Sequence, residues 1–219
     1  MNKLLLYILL VFASSLSMQA QETSEVRDMV KMNTAMRSLS FHLLFHEPVS
    51  VNVDWGDGTS QEYSFEENEW TQVSHFYNSG NVHRVIITGD SKILKGLNLH
   101  GTYVDYLDIS GSENLNYLRV SYTYLSALDL THNYEIRHLY AGDCEVEKIS
   151  IWNNPKLELV VLYNTPLENN SSELINLIKS LPTPFDFTSA IYLYNEESVS
   201  WIEPICQEKK WIIHKSHYK

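Results

Sequence analysis

The residues of this chain that could do chemistry are nine histidines, an acid pair at Asp54 and Asp57, a second pair at Asp108 and Asp129, and two cysteines, Cys144 and Cys206. Their spacing fits no common reactive arrangement. There is no H-E-x-x-H, no G-x-S-x-G and no phosphate loop, the patterns that set a base beside a metal, a nucleophile on a turn, or amides around a phosphate. His132, His138 and Asp143 could approach one another on adjacent turns, but they read as solvated polar residues. Asp54 and Asp57 do not match the calcium loop D-x-[DN]-x-[DN]-G, and Gly56 and Gly58 account for a turn there without an ion. Asp108 and Asp129 lack the further oxygens that Ca²⁺ requires. The expectation is a non-enzymatic chain with no catalytic residue, no metal and no cofactor.

What the sequence offers instead is a surface. The spacing L-x-x-L-x-L-x-x-(T/C)-x-L recurs four times with a period of 21. Its apolar columns run from Leu94, Leu97, Leu99 through Leu115, Leu118, Val120 and Ile136, Leu139, Ala141 to Leu157, Val160, Leu162. A second pair keeps the same phase at Leu107 and Ile109, Leu128 and Leu130, Ile149 and Ile151. In an extended L-x-L segment alternate side chains point inward, so the residues flanking them face out. These are Gly96, Asn98, His100; Tyr117, Arg119, Ser121; His138, Tyr140, Gly142; and Leu159, Val161, Tyr163. Tyr and Arg are the side-chain types most often found as binding anchors. The expected ligand-binding face is therefore Tyr117, Arg119, His138, Tyr140, Leu159, Val161 and Tyr163, with a protein, peptide or glycan as partner.

Column by column, this spacing resembles the leucine-rich repeat family, in short coils similar to those of exported Bacteroidetes-type proteins. The resemblance implies a solenoid in which each coil buries its apolar edge against its neighbours. Where the family carries Asn or Cys, this chain has Thr102, Thr123, Cys144 and Thr165. A small side chain able to hydrogen-bond the turn, or fit beside it, meets the same need.

The start of the chain bears on where it works. Lys3, the apolar run Leu4 to Phe12 and the small residues up to Ala20 have the layout of a secretory leader. The run is too short to span a bilayer, and no later apolar stretch is long enough. The net charge is −11, and removing residues 1–20 takes away one Lys and no acid, leaving one unit more negative charge. That charge opposes binding to nucleic acid or anionic lipid. The protein is expected to be exported, to the periplasm, cell surface or medium. A disulfide between Cys144 and Cys206 suits such a compartment, but a buried thiol at Cys144 fits the repeat better.

Before the repeats, strand-like runs alternate with turn residues: Leu39 to Phe45, Val49 to Trp55, Gln61 to Phe65, Val73 to Tyr77 and Val82 to Thr88. Asp57-Gly58 is a hairpin signal. Trp55, Gly56, Asp57, Gly58, His75, Tyr77 and Gly80 together resemble the polycystic-kidney-disease type of β-sandwich. After the repeats, Asn170 with Glu173 reads as a capping box for a helix that Pro182 stops. A strand at Ala190 to Tyr194, a helix within Ser198 to Lys209 and a strand at Trp211 to His214 follow.

The expected class is α+β, mostly β: a leucine-rich-repeat solenoid with a β-sandwich-like N-terminal cap and a small α/β C-terminal cap. The expected divisions are a leader at 1–20, a linker at 21–37, the PKD-like cap at 38–88, repeats at 89–169 and the C-terminal cap at 170–219. The expected function is recognition through the exposed strand face. The alternative is a structural or adhesion component of the cell envelope that makes contact through the β-rich N-terminal region.

Overall fold

The computed structural model describes residues 26–90, 92–185 and 187–215. The leader expected at 1–20 lies outside the described residues. The first six strands are β1 (Val26–Thr34), β2 (Ser38–Phe45), β3 (Val49–Asp54), β4 (Ser60–Phe65), β5 (Thr71–Phe76) and β6 (His83–Asp90). They form where alternation allows one face to be buried: in β2, Leu39, Phe41 and Leu43 are buried while Ser38 and Ser40 are exposed. β3 and β4 pair antiparallel from Val49↔Phe65 to Asp54↔Ser60. The turn between them has positive φ at Gly56 (74°) and Gly58 (89°), conformations that cost a glycine little.

The repeats contribute two columns of short strands. The first is β7 (Leu94–Asn98), β9 (Tyr117–Arg119), β11 (His138–Tyr140) and β13 (Leu159–Val161). They pair parallel, each residue opposite the one 21 positions on from Gly96↔Tyr117 to Tyr140↔Val161. The second is β8 (Tyr106–Asp108), β10 (Ala127–Asp129) and β12 (Lys148–Ser150), of which β10 and β12 pair parallel. Leu118, Leu139 and Val160 have no exposed surface, and burying such a side chain stabilises by roughly 1.5–3 kcal/mol.

Between the columns each coil turns the same way. Gly101, Tyr122, Asp143 and Asn164, one per coil, have φ of 73°, 59°, 53° and 58°. The next residue holds the turn: Thr102, Thr123 and Thr165 Oγ1 and Cys144 Sγ donate to the carbonyls of Leu99, Val120, Leu162 and Ala141, at 2.6–2.8 Å. The second turn carries a buried ladder. Asn133 Nδ2 donates to Ile109 and Ser112 carbonyls, and Asn154 Nδ2 to those of Leu130 and Asn133. An Asn column is therefore present, but beside the second strands.

After the repeats come a 3-10 turn (Pro166–Asn169), α1 (Ser171–Ser180), β14 (Ser189–Leu193), α2 (Glu196–Glu208) and β15 (Trp211–Lys215). Asn170 Oδ1 accepts from Glu173 N at 3.2 Å at the start of α1. Pro204 lies inside α2.

The expected fold class is corrected. The protein is mostly β, with three sheets and two α-helices among the described residues, rather than a solenoid closed by separate caps. Its largest sheet is mixed and eight-stranded, in the order β15-β14-β13-β11-β9-β7-β2-β5. Antiparallel β2–β7 pairing joins it to the N-terminal strands, and parallel β13–β14 pairing joins it to the C-terminal ones. A five-stranded sheet, β4-β3-β6-β1-β8, takes in the first strand of the second column. Main-chain ladders thus cross both expected boundaries, and one apolar core runs from Met29 to Trp211.

The linker expected at 21–37 is corrected as well. Its residues Val26–Thr34 form β1, which pairs with β6 on one side and β8 on the other, with Met29, Val30 and Met32 buried. Among the described residues no helix is long and apolar enough to cross a membrane. Cys144 and Cys206 are free and buried, and burial pushes each thiol up to about 11.

Candidate functional site

The in-register parallel ladder converts the 21-residue period into rows of side chains on the outer face of the large sheet. One row is Gly96, Tyr117, His138, Leu159, Ala190 and Ile212; the next is Asn98, Arg119, Tyr140, Val161, Tyr192 and His214. Tyr117 and Tyr140 are half-buried, with ring centroids 5.2 Å apart. Burial pushes the Tyr117 phenol up from its ordinary value; Tyr140 adds to the rise and Arg119 opposes it. Arg137 pairs with Glu158, and His138 Nε2 lies 3.8 Å from the same carboxylate.

Two features of this panel differ from the expectation. Val161 is buried, 6% exposed, because it sits between the larger Tyr140 and Tyr192 on the adjoining strands. Leu159 is only partly exposed. Trp70, from the β4–β5 connection, joins the panel from outside the repeats. Its ring meets Tyr117 edge-on at 5.3 Å and covers Gly96, where an added β-carbon would come within 2.5 Å of it.

A third row follows the strands: His100, Ser121, Gly142, Tyr163 and Tyr194. Main-chain bonds such as Gly101 N to Ser121 O and Asp143 N to Tyr163 O keep it aligned. Its middle members are the smallest and are buried, so the surface dips between His100 on one side and Tyr163 and Tyr194 on the other. The result is a cleft of about 580 Å³ lined by His100, Arg119, Tyr122, Asp143, Tyr163, Asn164 and Tyr194. That size suits a small-molecule ligand.

The cleft is polar and held from behind. Asn164 Nδ2 donates to Asp143 Oδ1 at 2.9 Å. Glu168, 2% exposed, accepts from the backbone N–H groups of Asn164 (2.6 Å), Asn195 (3.1 Å) and Tyr194. A buried carboxylate needs such bonds, and these fix two of the lining residues. The Tyr122 ring meets His100 edge-on at 5.0 Å. Burial, then the Arg119 charge, holds the His100 imidazole below its ordinary value, against the pull of Asp143. Arg119 Nε is buried with no hydrogen-bond partner, and Arg119 forms no salt bridge among the described residues.

Of the seven residues expected at the site, Arg119 and Tyr163 line the cleft, Tyr117, His138, Tyr140 and Leu159 lie half-buried on the adjoining panel, and Val161 is buried within it. Sequence reasoning missed Trp70, Tyr122, Asp143, Asn164 and Tyr194, and placed His100 on the outer face without counting it in the site. The available signal was the column just before Thr123, Cys144 and Thr165, where Tyr122, Asp143 and Asn164 recur at the repeat period.

The residues around Asp57 gather at the far side of the N-terminal strands. Asp57 accepts from Thr59 N, Thr59 Oγ1 and His75 Nε2 at 3.0, 2.6 and 2.8 Å. The Thr59 and then the His75 bonds hold its carboxyl well below the usual range. His75 stacks on Trp55 at 4.7 Å, Tyr77 stacks on His83 at 4.1 Å, and Tyr77 Oη donates to Trp55 O. Gly56 fits because its missing β-carbon would lie 2.4 Å from Arg84 O. These bonds explain the motif as a brace for the β3–β4 turn, and no metal-binding group of acids, histidines and cysteines occurs among the described residues. Compared with known proteins, the chain matches no family model and no curated sequence.

Proposed function

We propose that this protein is an exported, non-enzymatic recognition module that binds its ligand through the outer face of the large sheet and the cleft at its edge. The observation that carries this reading is the cleft itself: three tyrosines, a histidine, one arginine and an Asp–Asn pair converge on a volume of about 580 Å³. Anchors of large area and low rotamer entropy beside a few fixed polar groups are how binding surfaces gain both affinity and orientation. The aromatic panel of Trp70, Tyr117 and Tyr140 adjoins it and extends the contact surface.

Screening the full chain on a glycan array and on envelope and culture-medium fractions from its source, then repeating with Tyr140→Ala/Tyr163→Ala, tests the reading. The folded double variant should lose the ligands that the wild type retains. Retention of every ligand by that variant would sink it. The alternative, contact through the N-terminal strands, is supported by Phe76 and Val82, 79% and 64% exposed. Removing residues 21–90 would not separate the two readings, since β1 and β2 pair with repeat strands. Phe76→Ser/Val82→Ser is the cleaner probe, and loss of binding there alone favours the alternative.

A further inference from the structure

We infer that the cleft takes a carboxylate-bearing sugar, with Arg119 on the carboxylate, Asp143 and Asn164 on ring hydroxyls, and Tyr163 and Tyr194 against the sugar's apolar face. This rests on the recognition reading above and names its ligand class.

Three observations lead to it. The first concerns Arg119, whose Nε is buried without a partner. A buried donor left unmade is costly, and this one belongs to a cation with no salt bridge among the described residues. Arg119 lines the cleft, so a carboxylate there would bring the opposite charge to its guanidinium. The second concerns the Asp143–Asn164 pair. Its bond uses Asp143 Oδ1 and one N–H of Asn164, so the pair still offers acceptors and a donor side by side, the match for vicinal hydroxyls.

The third observation weighs against a peptide. The backbone N–H groups of Gly101, Tyr122 and Asp143 already bond Ser121, Asp143 and Tyr163 carbonyls. At these three positions an extended peptide would find no free N–H to pair with, so recognition in the cleft falls to side chains. A sugar asks for just that, since it is read by rings on its C–H face and by fixed polar groups on its hydroxyls. The net charge of −11 makes the rest of the surface unfavourable to anions. An acidic sugar should therefore bind only where Arg119 compensates.

Isothermal titration of the full chain with trigalacturonic acid and with 3′-sialyllactose, each beside its own carboxyl methyl ester as the neutral counterpart, tests the assignment. At least one acid should bind, with its neutral counterpart about tenfold weaker or more. Arg119→Gln should lose about tenfold or more for the acid and little for the neutral sugar, and Arg119→Lys should recover only part. Melting curves establish that the variants are folded. Equal binding of acid and neutral sugar with no effect of Arg119→Gln, or no binding of either acid at millimolar concentration, overturns the assignment. The recognition reading survives those outcomes if Tyr140→Ala/Tyr163→Ala still abolishes the ligands retained in the screen, so the two failures are distinguishable.

Discussion

Tyr163 occupies the space that a side chain at position 142 would need: a β-carbon on Gly142 would lie 2.7 Å from Tyr163 Cε2. The smallest residue in one coil therefore sets where the ring of the next coil rests, and that ring is one wall of the cleft.

Gly142→Ala is expected to push the Tyr163 ring outward while leaving the fold intact. The obstructing atoms are ring carbons of Tyr163, which must swing as a rigid unit, so the stability loss should be about 1–3 kcal/mol. Ligand affinity should fall several-fold. Urea unfolding and titration measure the two effects separately, and unaltered affinity with a displaced ring would remove Tyr163 from the site.

The asparagine ladder carries a stability prediction. Asn133 Nδ2 bonds Ile109 and Ser112 carbonyls at 2.9 and 2.8 Å, and each carbonyl also accepts a turn N–H, from Ser112 and Leu115. Asn133→Ala removes the second donor from each and leaves a small void, a loss of about 2 kcal/mol. Asn133→Asp should cost at least as much, since it removes the donors and buries a charge. A urea midpoint unchanged in Asn133→Ala would show that the ladder contributes nothing net.

Asp57 predicts a pH dependence. Its carboxyl is held low in the fold by Thr59 and His75, so the folded state favours the ionised form. That contribution is complete above the unfolded carboxylate value of about 3.9 and is lost as pH falls from there toward the folded value. Asp57→Asn should melt below the wild type at neutral pH, and the difference should shrink below about pH 4. A difference independent of pH across that range would mean that the hydrogen-bond geometry, not the charge, braces the turn.

Much of the local structure was legible in the residues. The period of 21 located the stacked strands, because a column of Leu118, Leu139 and Val160 can be buried only if successive coils lie in register. The need for a small bonding side chain at the turn identified Thr102, Thr123, Cys144 and Thr165, whose bonds run to the carbonyl three residues back. Asp57-Gly58 marked its hairpin turn, and Asn170 its helix start, because each is a local backbone requirement.

What only the tertiary structure decided is which strands share a sheet. Hydrophobic alternation says that β1, β2 and β14 each have a face to bury, but hydrogen bonding along a strand's edge carries no sequence label. β2 beside β7 and β14 beside β13 therefore could not be read from composition or spacing. The cleft is decided in the same way. His100 and Tyr194 are 94 positions apart and become opposite walls because five strands from different parts of the chain align, with Ser121 and Gly142 too small to fill the gap between them.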